Sequence, residues 1–342
     1  MKVKKTFVSL LVLLVVFSFI LSGCKGGAAT PAGDSGKTVT IKLTHILAPD
    51  HSWNAGAEKF KELVSAKSNG QIKVEIFPSA QLGDEVSIIE NMKTGTIQMA
   101  VCSTAKSVNF VPELGLVDLP FLFKDWDHVH KVLDGEIGKE LDKKMLAATG
   151  LRSLGWWDQG FRHVLTVKKP VKTMADFAGL KLRTPDSETY TKTFLSIGAS
   201  PTPMAFSELY SGLETGVVDG FEGSFETTYS SNLHEVCKYI TITNHIYSGA
   251  QFLIQDKFLQ KLSPEMQKAI QEAAIEAKEY ERKIVMERDD KNKQKLLDAG
   301  ITIDETLIKN ESNQLRESVT EYVAQYSKKA GIEDLVKKAK DS

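Results

Sequence analysis

Cysteine is scarce in this 342-residue chain, which has only three, so a scaffold built on disulfides is excluded. Cys24 belongs to the leader treated below. Cys102 and Cys237 lie far apart with no framework spacing, so buried free thiols are the expectation and a single bridge the alternative. The seven histidines, His45, His51, His128, His130, His163, His234 and His245, form no H-E-x-x-H pattern and flank no paired cysteines. No resident metal or other cofactor is expected. The chain has no G-x-S-x-G elbow and no G-x-G-x-x-G loop. Gly36-Lys37-Thr38 imitates the end of a phosphate loop, but the earlier glycine that such a loop needs falls at Pro31. An enzyme reading therefore has no motif behind it. Charge of one sign is missing as well: 43 Lys and Arg against 44 Asp and Glu leave a formal charge of −1, which gives no field to draw in nucleic acid.

No apolar run reaches the roughly 20 residues that a spanning helix requires. The longest, Phe7 to Leu21, follows Lys2, Lys4 and Lys5 and reads as a secretory signal over residues 1–23. It ends in Leu21-Ser22-Gly23-Cys24, which resembles a bacterial lipobox. Acylation at Cys24 would anchor the exported chain to the outer face of a membrane, each buried methylene contributing about 0.8 kcal/mol. An unlipidated signal and a short anchor helix are the alternatives. Residues 24–37, rich in Gly, Ala, Ser and Thr, cannot bury enough apolar surface to order themselves and read as a tether.

From Thr38 onward the periodicity alternates. An extended apolar run to Leu47 precedes Trp53, Ala57, Phe60 and Val64 at helical spacing, and Asn69-Gly70 stops that helix. Ile72, Val74 and Ile76 then recur at period two, a helical stretch covers Glu85 to Lys93, and an apolar run follows Gly95. Strands alternating with helices imply a largely parallel sheet covered on both faces. A second series opens near Leu151, so two α/β lobes are expected. Ser263-Pro264-Glu265 is a strong helix start, and neither Gly nor Pro interrupts the chain before Gly300. One helix of roughly 54 Å across both lobes is the simplest reading, and two helices broken near Asp289-Asp290 the alternative.

Several segments resemble the solute-binding proteins of tripartite ATP-independent periplasmic (TRAP) transporters, the DctP family. They are Lys67-Ser68-Asn69-Gly70-Gln71-Ile72 leading to Gln81-Leu82-Gly83-Asp84, then Gly95-Thr96-Ile97-Gln98-Met99 and Gly160-Phe161-Arg162. Gly179-Leu180-Lys181-Leu182-Arg183-Thr184-Pro185, Gly198-Ala199-Ser200-Pro201-Thr202-Pro203-Met204-Ala205-Phe206-Ser207-Glu208 and Gly216-Val217-Val218-Asp219-Gly220 complete the set. Their order and spacing span most of the chain after the leader. The resemblance implies an α/β, two-lobed periplasmic-binding-protein-like (type II-like) fold with a hinge and a long helix spanning both lobes. Lobe one would comprise 38–159 plus 248–285, and lobe two 160–247 plus 286–342.

The resemblance also implies a site. Arg183 is the expected carboxylate clamp, because a planar guanidinium offers two parallel charge-assisted bonds. Arg162 matches a second arginine near the same carboxylate, with a structural ion pair as its other reading. Phe206 and Pro185 match pocket-wall positions, and Glu85, Ser103 and Lys106 fall near the far end of the ligand, with His51 and Trp157 close by. Where the family commonly shows Gln-Glu-Asn, this chain reads Phe221-Glu222-Gly223, so a donor is lost at Gly223. Phe221, Ile46 and Cys102 then suggest an aromatic or compact apolar monocarboxylate.

The implied function is that of a lipid-anchored, monomeric receptor outside the cytoplasm. It would deliver a small organic carboxylate to the small and large permease subunits without altering it chemically. A C4-dicarboxylate or sugar-acid receptor, a ligand sensor feeding a membrane kinase, and a secreted hydrolase using Glu85 or Glu222 are the competing readings.

Overall fold

The computed structural model describes residues 38–342. The signal, Cys24 and the tether lie outside the described residues. Eleven strands follow in chain order: β1 (Val39–Thr44), β2 (Ile72–Phe77), β3 (Met99–Ser103), β4 (Leu151–Phe161), β5 (His163–Thr166), β6 (Lys181–Thr184), β7 (Ser200–Pro203), β8 (Gly220–Gly223), β9 (Tyr239–Thr241), β10 (Tyr247–Gln255) and β11 (Thr302–Asp304). They form two sheets, one for each lobe, with orders β2-β1-β3-β10-β4 and β11-β9-β5-β8-β6-β7. In the first, β1 runs parallel to β2 and β3, while β10 enters antiparallel between β3 and β4. β3 is buried along its whole length, as expected of a strand with neighbours on both edges and helices on both faces. β2 sits at the edge and alternates, with Ile72 and Val74 inward and Lys73 and Glu75 outward.

The helices that position the site start on local signals. His51 caps Ser52–Lys67 by accepting from the Trp53 backbone N–H. Asp84 caps Glu85–Thr94 by accepting from Ser87 at 2.8 Å, and Gly95, at φ +88°, ends that helix in the left-handed conformation that glycine tolerates. Pro264–Asp298 is one uninterrupted helix of 35 residues. Ile270, Ala273, Ala274 and Ala277 pack in the core of the first lobe. Leu296 packs in the second.

The lobes are joined where β4 passes into β5 through Arg162, and where the chain returns from β9 to β10. The two crossings bond to each other, Arg162 N–H to Ile246 O at 2.9 Å and His245 N–H to Arg162 O at 3.3 Å.

One expected boundary is corrected. Residues 286–342 are expected in lobe two, and Leu307, Leu315 and Val319 do pack there. The helices Thr320–Lys329 and Glu333–Asp341, however, with Ile332 capping the second, bury Tyr322, Tyr326, Ile332, Leu335 and Val336 in one cluster with Leu114, Val117, Val129 and their neighbours in lobe one. Polar contacts fix that docking: the Tyr326 hydroxyl donates to Pro112 O at 2.7 Å, and His128 Nε2 lies 2.7 Å from Ala339 O.

Candidate functional site

A cavity of about 570 Å³ opens between the lobes and takes its walls from both. Lobe one supplies Glu85, Ser103 and Lys106; lobe two supplies Arg183, Pro185, Phe206, Phe221 and Gly223, with Arg162 at the crossing. His51 and Trp157 are not on its wall. His51 is fully buried behind it, Nδ1 accepting from Trp53 N–H at 3.2 Å and Nε2 lying 3.3 Å from Thr227 Oγ1. Trp157 stacks on Phe252 at 4.7 Å in the first core. Cys102, expected to colour the pocket, faces the other core cluster of lobe one, with Ile88, Val117 and Val129. Cys102 and Cys237 are both buried and free.

Arg183 projects from β6, in register with Phe221 on β8. It is 3% exposed. Nε and Nη2 both donate to Met204 O, at 3.1 and 2.8 Å, and the guanidinium lies 5.8 Å from the centre of the Phe206 ring. No acidic side chain pairs with it among the described residues. Burial pushes its pKa down to about 10, only partly offset by the fields of Glu222 and Glu85. The side chain is thus held by one carbonyl and one ring face, with no acidic side chain in contact to balance its charge.

Arg162 is in the opposite situation. Its Nε and Nη2 donate to the two carboxylate oxygens of Glu222, the second at 2.7 Å, and Nη2 also reaches the Glu222 carbonyl at 2.6 Å. Burial opposes its charge, but Glu222, with help from Tyr190 and Asp118, outweighs burial and raises its pKa. Burial likewise works against the Glu222 carboxylate, and Arg162 and His245 bring its pKa below the ordinary value. His245 Nε2 completes the cluster 3.3 Å from Glu222 Oε2. Arg162 therefore enters the site already ion-paired.

On the facing wall, Glu85 Oε1 accepts from Ser103 N–H at 2.6 Å and Oε2 from Ser103 Oγ at 3.0 Å. Burial raises its pKa against the pull of those two donors, Lys106 and Arg183. Lys106 reaches across the mouth to lobe two, its Nζ donating to Asp186 O at 3.0 Å. Desolvation lowers its pKa. Phe221 explains the missing donor at 223: a Cβ on Gly223 would stand 2.9 Å from the Phe221 ring. The ring fills the space that a side chain there would use.

The cavity also presents Gln159 and Ser248, joined by a 2.7 Å bond, and Thr227, 3.3 Å from Gln159 Nε2. Sequence reasoning missed these. Asp158-Gln159-Gly160 stands next to the crossing, but the same strand also carries Arg152 and Ser153, so polarity there gave no distinguishing signal. No histidine lines the cavity, and Ser103 Oγ spends its proton on Glu85. The walls offer charge recognition and hydrogen bonds.

The profile of the bacterial extracellular solute-binding proteins, family 7 (DctP), matches residues 43–329. The 2,3-diketo-L-gulonate-binding periplasmic protein YiaO of Escherichia coli K12 is 36% identical over 264 residues, 77% of this chain and 80% of that protein. The C4-dicarboxylate-binding periplasmic protein DctP of Rhodobacter capsulatus is 34% identical over 298 residues, 87% of this chain and 89% of its own length. Among solved structures, the sugar acid binding protein DctPAm of Advenella mimigardefordensis in complex with galactonate superposes with a TM-score of 0.86 at 32% identity, covering 89% of this chain and 99% of that one. The two-sheet architecture, the walled cavity and these matches together establish that the chain belongs to the bacterial extracellular solute-binding proteins of family 7, the DctP family.

Proposed function

We propose that this protein captures a small organic acid outside the cytoplasm by closing Arg183 onto the ligand's carboxylate, and hands the unaltered acid to a TRAP permease. The observation that carries the reading is the buried Arg183 guanidinium with no acidic partner among the described residues. A desolvated charge is costly until an opposite charge meets it, and a ligand carboxylate meets it in the bidentate geometry for which arginine is suited. The named ligands of the relatives, 2,3-diketo-L-gulonate, C4-dicarboxylates and galactonate, are all organic acids. The cavity of about 570 Å³ is within the range of small-molecule sites. Its mixed wall, with Gln159, Ser248 and Thr227 beside Ile46 and Phe221, supports a compact polar acid better than the aromatic or apolar monocarboxylate expected from sequence.

Lipidation at Cys24, tethering through residues 24–37, a monomeric state and contact with small and large permease subunits belong to the same reading. They rest on the leader's composition and on family membership. Binding to the purified protein by calorimetry, with ligands first identified by mass spectrometry of bound small molecules, tests the central step. Arg183→Ala should weaken carboxylate binding at least about 100-fold, in line with the several kcal/mol lost when one member of a buried charge pair is truncated. Arg183→Lys should recover only part, because an ammonium keeps the charge and loses the fork. Unchanged affinity in Arg183→Ala would reject the clamp.

A further inference from the structure

Asp118 is fully buried, off the cavity wall, where the two lobes meet. It belongs to lobe one, just past the turn Pro112–Leu116. Thr104 Oγ1 lies 2.6 Å from Asp118 Oδ1 and 3.1 Å from the Gly249 carbonyl oxygen. Asp118 Oδ2 has no hydrogen-bond partner among the described residues. A hydroxyl carries one proton, whereas a carbonyl or an ionised carboxylate can only accept. With Asp118 ionised, Thr104 could satisfy one of these two neighbours and would face the other lone pair to lone pair. A neutral acid removes the conflict: Asp118 donates to Thr104, Thr104 donates to Gly249, and the solitary Oδ2 is an uncharged carbonyl oxygen. Lobe two supplies part of the cover. The Tyr190 hydroxyl, on the helix Glu188–Ile197, reaches Asp118 Oδ1 at 3.3 Å, and its fully buried ring packs with Ala105 and Ile246. Separation of the lobes would withdraw that ring and let water reach the carboxyl group.

We propose that Asp118 is a proton-binding site coupled to capture: the protein takes up one proton there as the lobes close on an organic acid and releases it as they open. The proposal rests on the receptor reading given above and adds a proton to what the receptor binds. The groups that face Asp118 do not hold it ionised. Arg162, at the crossing, favours the charged form, but its guanidinium is already paired with Glu222, whose own charge opposes it. Tyr190 and, on the helix Thr320–Lys329, Tyr322 and Tyr326 bring no positive charge, and burial raises the pKa of all three. Burial likewise pushes the Asp118 pKa up to about 7, against the pull of Thr104, Arg162 and Tyr190. Once wetted in the open arrangement, the group returns to the ordinary carboxylate range. Closure therefore draws in a proton at any pH between those two values. The proton's contribution to affinity is greatest on the acid side and is lost as the pH rises through about 7.

Calorimetric titration at pH 6, 7 and 8, in buffers of different ionisation enthalpy, counts the protons taken up on binding. The titrants are galactonate, succinate and the acid recovered from the purified protein. Wild type should take up close to one proton at pH 6, about half at pH 7 and about a tenth at pH 8, and should bind about 10-fold more tightly at pH 6 than at pH 8. Asp118→Asn, whose amide can donate to Thr104 as the neutral acid does, should bind at pH 8 at least as tightly as wild type does at pH 6, with no uptake. An acid captured by wild type without proton uptake at pH 6 would overturn the assignment. So would an uptake that persists in Asp118→Asn, since the proton would then reside elsewhere, Glu85 on the cavity wall being the nearest competitor. If Asp118→Asn fails to fold, the wild-type uptake decides: a midpoint at about pH 7 supports Asp118, and one in the ordinary carboxylate range rejects it. Failure of the receptor reading looks different. There no acid binds at any pH, or Arg183→Ala leaves every affinity unchanged, and the proton site falls with it.

Discussion

Single residues in the site are explained by what their neighbours leave unsatisfied or unoccupied. Arg183 was legible in sequence through Lys181-Leu182-Arg183-Thr184-Pro185, and it emerges on the wall of the cavity. The arginine in Gly160-Phe161-Arg162 was legible as a position but not as a state, because its ion pair depends on Glu222 in a strand far along the chain. Gln159 and Ser248 were not legible, since one polar residue at a strand end leaves no periodic trace. Gly223 has a second consequence. Its missing Cβ leaves room for the Phe221 ring 2.9 Å away, so the two positions should behave as a unit. Gly223→Ala is expected to cost about 1–3 kcal/mol by overpacking. Combined with Phe221→Ala, the loss should fall short of the sum of the single losses by at least about 1 kcal/mol. Thermal denaturation of the four proteins in the cycle measures this, and strict additivity would show that the ring and the glycine do not share space.

At the level of elements, the helix Ser52–Lys67 and the long helix Pro264–Asp298 approach closely because of Gly56. A Cβ there would lie 2.8 Å from the Trp157 ring and 3.0 Å from Glu281 Cβ. Trp157, expected beside the ligand, instead serves as the surface on which these helices and Phe252 meet. Gly56→Ala gains helix propensity, but the ring it meets is pinned, so the overpacking term of about 1–3 kcal/mol wins. A lower unfolding midpoint in urea with an unchanged slope is the expected result, and a raised midpoint would mean that the helices can part at little cost. The long helix itself was legible from Ser263-Pro264 and the absence of breakers. The docking partner of the last two helices was not, because an amphipathic pattern says which face is buried and not against which core.

Across the whole molecule, the lobes touch through a contact outside the cavity. Glu226, on the helix Phe225–Ser230 of lobe two, accepts from Ser52 N–H at 3.1 Å and Ser52 Oγ at 2.7 Å at the start of a lobe-one helix. Arg288 on the long helix donates to the same carboxylate at 3.0 Å. A carboxylate capping a helix N-terminus is favourable in its own right, and here it also bridges the lobes. Glu226→Ala should therefore weaken ligand binding roughly 3- to 30-fold through the population of the closed arrangement, with no change in the ranking of ligands. Calorimetry measures the affinity and solution X-ray scattering the accompanying rise in radius. An affinity equal to that of wild type would show that the bridge has no part in closure.

The return of Thr320–Lys329 and Glu333–Asp341 to the first core sets a condition on biogenesis. The residues that seal the half of the molecule made first are made long after it, so a chain that has not yet reached residue 320 lacks the pieces needed to complete that half. Removing residues 320–342 would uncover Leu114, Val117 and Val129 rather than trim a surface tail. That core closes only when residues 320–341 have reached it.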